Sequence, residues 1–301
     1  MAKMGSGRPK RVELCEVGPR DGFQFDRIAI PTELKLEVLR LLIESGLPRI
    51  QITSFVHPGR VPQMADAEEV VKALGSTEGV IFSGLALNER GVQRAADTGL
   101  THVDLSIATN EQHGHDNANM SVAEGVDRAM EMIRIAHEAG LQVQLGAQTV
   151  WGYQIAGDTP METVLELAER FSETGLESFS LADSTGLANP DSIRRVVRAV
   201  RDIIDAPIVL HLHDTRGLGI ANIVAALDEG VHRFDTSLGG MGGCPFIPGA
   251  TGNVATEDVD WALSQLDIQT GLDATLIAAA SRMIAEHLGK PHPGRLWSLL
   301  S

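Results

Sequence analysis

The chain has 301 residues, 43% of them hydrophobic and 22% charged, and carries a formal net charge of −15. Such a charge repels a phosphate backbone, and with no basic run to offset it nucleic acid is excluded as a partner. No apolar stretch approaches the roughly 20 residues that cross a bilayer, which excludes a membrane-spanning role, while the length suits one large α/β barrel as well as two smaller domains.

Residues 1–11, MAKMGSGRPKR, are basic and small and lack the apolar segment of a secretory signal. They are expected to form a disordered stub ahead of a single domain over residues 12–301, in a cytoplasmic protein. The two cysteines, Cys15 and Cys244, are too few for a disulfide framework and fit a reducing compartment.

From residue 12 onward, β-branched runs alternate with amphipathic segments. VELCEV (12–17) leads to TELKLEVLRLLIESG (32–46), RIQITSF (49–55) to DAEEVVKALG (66–75), and VIFSGLAL (80–87) to ERGVQRAADTG (89–99). HVDLSIAT (102–109) precedes a helix expected over Ser121 to Ala139, and LQVQLGAQTV (141–150) precedes METVLELAERFSETG (161–175). SFSLAD (178–183) precedes PDSIRRVVRAVRDI (190–203), PIVLHLHD (207–214) precedes IANIVAALDEG (220–230), and RFDTSLGG (233–240) precedes a helix from Thr256. Many of these helices are expected to close on glycine, at Gly46, Gly75, Gly99, Gly140, Gly175 and Gly230. Eight strand–helix units predict a (β/α)8 TIM barrel, with residues 273–288 as an extra C-terminal helix. The alternative, a doubly wound open sheet, lacks a G-x-G-x-x-G after the first strand.

In a (β/α)8 barrel the chemistry sits where the strands end, and these ends are polar: GPRDG, QITSF, LADSTG, HLHD and GGMGGCPF. His211 and His213 lie two apart on one strand, so they face the same way with Cα atoms about 6 to 7 Å apart and can present two nitrogens to one cation, with Leu210 and Leu212 facing the outer helices. A pair of hydrogen-bonded core histidines is the structural alternative. Asp21 is the natural third ligand, beside Arg20 in a turn bounded by Pro19 and Gly22, and a mixed N/O site suits Mg²⁺ or Mn²⁺ better than a closed zinc cage. Cys244, in the glycine-rich stretch GGMGGCPFIPGATGN, is read either as a proton donor or acceptor on a mobile active-site loop or as an inert small residue. Cys15 is expected in the core. His57, His113 and His115 face the rim, the last two with a second metal site as the minor alternative, and Trp151 and Tyr153 are expected to line a pocket.

Taken together, EVGPRDGFQ, TSFVHPGRVPQMAD, HLHDTRGLGIAN and GGMGGCPFIPGATGNVATEDV resemble the 3-hydroxy-3-methylglutaryl-CoA lyase family of the barrel metallolyases, over about residues 12–265. The resemblance implies a divalent metal held by Asp21, His211, His213 and Asn253, with Arg20 steadying an enolate, Cys244 as acid or base, and Asp183 matching a further functional carboxylate. Gln51, Ser54 and Gly243 are expected as substrate contacts. The implied reaction cleaves a 3-hydroxyacyl-CoA into acetyl-CoA, or a similar acyl-CoA, and a keto acid, with Asp183 as the base. A homo-oligomer, a dimer first, is expected. Two departures bear on the substrate: Gln51 stands where the lyase pattern usually has Glu, and AQTVWGYQIAGD replaces a Cys-containing, Gly-Pro segment after strand five. A Claisen-type synthase joining acetyl-CoA to a 2-oxo acid is the rival enzyme reading, and a non-enzymatic binding barrel is the rival outside enzymes.

Overall fold

The computed structural model describes residues 7–243 and 251–300. Eight parallel strands close in sequence order, each hydrogen-bonded to the next and the last to the first: β1 (Glu13–Glu16), β2 (Arg49–Ser54), β3 (Ile81–Leu85), β4 (His102–Ala108), β5 (Gln142–Gln148), β6 (Ser178–Asp183), β7 (Ile208–Leu212) and β8 (Arg233–Thr236). Around them run α1 (Thr32–Glu44), α2 (Ala67–Leu74), α3 (Glu89–Asp97), α4 (Glu111–Ala118), α5 (Val122–Glu138), α6 (Met161–Phe171), α7 (Pro190–Arg201), α8 (Gly219–Asp228), α9 (Thr256–Ser264) and α10 (Ala274–Leu288). The expected barrel and its extra C-terminal helix are both present.

Alternation along the strands separates two environments. Ile50, Val103, Val143, Phe179, Leu181, Leu210, Leu212 and Phe234 are buried in the apolar layer between sheet and helices. The barrel interior is polar instead. Arg49 lies there, 3% exposed, bonded to Asp104 at 3.2 Å and to Glu177 at 2.9 Å. Arg233 reaches the same Glu177 at 2.8 Å. Cys15, on β1, is buried inside as expected, and burial pushes its thiol pKa well up, so it is inert as a nucleophile.

Local signals set the element ends. All six glycines expected to close helices have positive φ, where a side chain would be strained. Ser121 and Glu124 form a reciprocal capping box on α5, and Asn189 caps α7 with Pro190 following it. The short helix α4 occupies the segment containing His113 and His115 and carries no apolar period that would announce it. Part of the N-terminal stub is tied down, contrary to the expected disorder. Arg8 pairs with Asp228 at 2.7 Å, the Lys10 carbonyl accepts from the Gln269 amide at 2.9 Å, and Arg11 bridges to Gln269.

Candidate active site

The segment GPRDG forms a single π-helical turn, Gly18–Gly22, directly after β1. It sits close against the end of β8: a Cβ at Gly18 would meet Leu238 Cδ2 at 2.4 Å. Buried Glu16 holds this arrangement, accepting from the amides of Gly18 and Leu238, each at 2.8 Å, and from Thr256 Oγ1 at 2.7 Å. Arg20 and Asp21 are thereby aimed into the mouth of the barrel.

Across the mouth, β7 delivers His211 and the chain just beyond it delivers His213. Their rings stand 5.3 Å apart, centroid to centroid, with the two Nε2 atoms 3.3 Å from each other. Asp21, His211 and His213 each place one ligand atom within 4.8 Å of the others, and among the described residues no other group of three His, Cys, Asp or Glu does so. Asn253 joins them through Nδ2, which donates to Asp21 Oδ2 at 2.7 Å. His113 and His115 part company on α4, one buried and one exposed, so the alternative of a second metal site there is set aside.

Unmatched polar atoms show that this set fits a cation. Asn253 Oδ1 and His213 Nδ1 are buried with no hydrogen-bond partner among the described residues. A Cβ at Gly242 would meet Asn253 Nδ2 at 2.4 Å and Asp21 Oδ2 at 3.0 Å, so the glycine leaves that side of the site open. Burial, reinforced by His211, drives the His213 pKa down to about 3, keeping it in the neutral form that ligates metals. Burial opposes ionisation of Asp21, but Arg20, His211 and Asn253 outweigh it and hold the carboxyl below its usual range. Asp235 stands behind His211, its Oδ2 3.3 Å from Nδ1, the position of a group that orients a ligating imidazole.

These residues open onto a cavity of about 290 Å³ whose wall includes Arg20, Gln51, Ser106, Gln144, Gln148 and Gly243. Of the expected substrate contacts, Gln51 and Gly243 therefore line it. Ser54 does not: it is fully buried, its Oγ without a partner among the described residues, and Val56 and Leu85 line the cavity instead. Nor does Asp183, which was expected as the base. It pairs across the sheet with Leu212, while its neighbour Ala182 pairs with His211, so Asp183 shares the outward face. Its carboxylate accepts from the amides of Leu187 at 2.8 Å and Ala188 at 3.1 Å. Burial raises its pKa to about 6 despite those bonds. Trp151 lines a separate pocket with Leu187 and Asn189, and the Tyr153 hydroxyl donates to Asp116 at 2.9 Å; neither side chain lines this cavity. Cys244 lies outside the described residues.

Sequence reasoning placed His113 at the rim and passed over Asp235, Ser106, Gln144 and Gln148; all five are on the cavity wall. The signal available for the β5 pair was their period of two, with Gly146 between them, in the run QVQLGAQ. His113 is buried beside Tyr153, and burial lowers its pKa to about 4.

A closed parallel barrel whose strand ends converge a carboxylate and two imidazoles beside an arginine has the form of a TIM-barrel enzyme with a candidate metal site. The HMGL-like family model matches residues 11–284, and the chain belongs to that family; it is a carbon–carbon lyase of this kind. A Bacillus subtilis protein named hydroxymethylglutaryl-CoA lyase YngG is 39% identical over 95% of this chain and 96% of its own. A crystal structure of the Bacillus subtilis HMG-CoA lyase superposes with a TM-score of 0.93 at 38% identity, covering 97% of this chain and 99% of that one. The Acinetobacter baumannii enzyme, solved with coenzyme A and 3-methylmalate, gives a TM-score of 0.90 at 33% identity, over 96% and 95% of the two chains. No helix among the described residues is long and apolar enough to cross a membrane.

Proposed function

We propose that this chain cleaves a 3-hydroxyacyl-CoA, with 3-hydroxy-3-methylglutaryl-CoA as its reference substrate, to an acyl-CoA and a keto acid, using Mg²⁺ or Mn²⁺. The observation that carries the proposal is the convergence of Asp21, His211 and His213 beside Arg20 on one cavity wall. Asn253 would complete the ligand set through Oδ1, which has no partner among the described residues. A divalent cation held there supplies Lewis acidity, easing ionisation of the substrate hydroxyl and stabilising enolate charge.

In the cleavage the substrate hydroxyl gives up its proton to water at the open mouth of the barrel, its oxygen becomes the carbonyl of the keto product, and the electrons of the C2–C3 bond pass to the thioester as an enolate. Arg20 meets the developing charge. Its Nη1 donates to Asp21 Oδ1 at 2.6 Å and its Nε to Gln51, while Nη2 has no protein acceptor among the described residues and remains for the enolate oxygen. Cys244 is assigned the proton that C2 receives. The described part of its loop reaches the site at Gly243, on the cavity wall.

The test is a screen of 3-hydroxyacyl-CoAs with Mg²⁺ or Mn²⁺, following keto acid and acyl-CoA together. Equal release of both supports the lyase. Release of free CoA from acetyl-CoA and a 2-oxo acid, with no cleavage of any hydroxyacyl-CoA, would instead identify a synthase.

A further inference from the structure

Gln51 holds a place that its substrate contact does not explain. It is 3% exposed, and its amide is engaged in two directions at once. Oε1 accepts from Arg20 Nε, and Nε2 donates to Asp104 Oδ2 at 2.5 Å. Asp104 Oδ2 also accepts from Ser83 Oγ at 2.5 Å, and Asp104 Oδ1 accepts from Arg49 Nη2 at 3.2 Å. An ionised carboxylate only accepts, so Asp104 dictates which end of the amide faces it. The oxygen of Gln51 is left pointing at Arg20.

The guanidinium is a rigid planar fork, so two anchored nitrogens fix the direction of the third. Arg20 is anchored at Nη1 by Asp21 and at Nε by Gln51. We infer that Gln51, oriented by Asp104, is a positioning residue that aims Nη2 of Arg20 into the cavity. The inference rests on the lyase reading of Arg20 given above.

The geometry also accounts for an amide at position 51, where the lyase pattern has a carboxylate. A glutamate in the same pose would set a second acceptor oxygen where Nε2 now lies, 2.5 Å from Asp104. Two buried carboxylates at that separation do not both remain ionised: if they move apart Arg20 is released, and if they share a proton the glutamic acid keeps both bonds, donating to Asp104 and accepting from Arg20, only as long as it stays protonated. The neutral amide links the two charges without adding a third.

Three variants test this against the parent enzyme on the hydroxyacyl-CoA it turns over best: Gln51→Glu, Gln51→Met, and the double exchange Gln51→Glu with Asp104→Asn. In the exchange the asparagine amide donates to the glutamate, which still accepts from Arg20, and the total charge is that of the parent. Gln51→Met, which can neither accept from Arg20 nor donate to Asp104, is expected to lower kcat by about 100-fold, the scale of a misplacement near 1 Å, with KM changed far less; Gln51→Glu is expected to fall between Gln51→Met and the parent. The exchange, in which a carboxylate again accepts from Arg20, is expected to exceed Gln51→Met at least tenfold. Near-UV circular dichroism establishes that each variant is folded; should the exchange variant not fold, Gln51→Met decides alone. Parental kcat in folded Gln51→Met, or a folded exchange variant no faster than Gln51→Met, would overturn the inference. A parent inactive on every hydroxyacyl-CoA would count against the lyase reading instead, because the inference is read from ratios among variants of an active enzyme.

Discussion

At the scale of single residues, the proposed site divides into groups that hold a cation and groups that move protons or meet charge. His213 belongs to the first: buried, neutral and 3.3 Å from the other imidazole. Cys244 is proposed for the second. His213→Ala is therefore expected to weaken Mn²⁺ binding by at least tenfold in a calorimetric titration, and turnover falls with it. Cys244→Ser is expected to bind Mn²⁺ like the parent and to lose most of its turnover. Equal loss of metal affinity in both variants would refute this division of roles. Asp235, fixed behind His211, is a carboxylate of a third kind, acting on the imidazole from outside the ligand set.

At the scale of elements, two buried carboxyl groups act as braces. Glu16 joins the π-helical turn after β1 to the start of the loop after β8, and Asp183 closes the turn after β6 on two backbone amides. Hydrogen bonds to a charged group contribute about 1.5–3 kcal/mol each, and an amide in its place keeps a weaker acceptor. Asp183→Asn is thus expected to lower unfolding free energy by about 1–3 kcal/mol in a denaturant titration while leaving the pH–rate profile in position. A profile whose acid limb moved in Asp183→Asn would restore the carboxylate to the role of base.

At the scale of the whole molecule, buried ionisable groups tie stability to pH. Burial raises Glu16 from 4.5 to about 8, so between those values the folded state holds a proton that the unfolded state has released, and stability falls as pH rises. The buried histidines act in the opposite sense, since His113 falls from 6.5 to about 4 and His213 from 6.5 to about 3. Their contribution grows as pH rises and is complete above the unfolded value of 6.5. Between about pH 6.5 and 8 the Glu16 effect is therefore unopposed by them, and the Tm of the metal-free protein is expected to decline across that window. Glu16→Gln should flatten the decline, as differential scanning calorimetry in chelator would show; an equally steep decline in the variant would assign the effect to another group.

Much of the architecture was legible in the chain itself. The strand periods, the glycines at helix ends and the H-x-H spacing are local properties, set by backbone geometry within a few residues, and they carried through to the barrel and to the His211–His213 pair. Which side chains meet depended on closure: Asn253 and Asp21 are 232 residues apart and hydrogen-bonded. The same holds for Gln51, whose role became visible only with Asp104 seen beside it on a neighbouring part of the barrel wall. Asp183 shows where strand-end reasoning fell short. Its position was right, but its direction followed from the register that pairs it with Leu212 rather than with His211. Local physics determined which strands and helices form and where they end, because torsional preference and hydrophobic period act over a few residues. Tertiary structure alone decided which face each end residue presents and what partner it finds, because those depend on the register of neighbouring strands around a closed sheet.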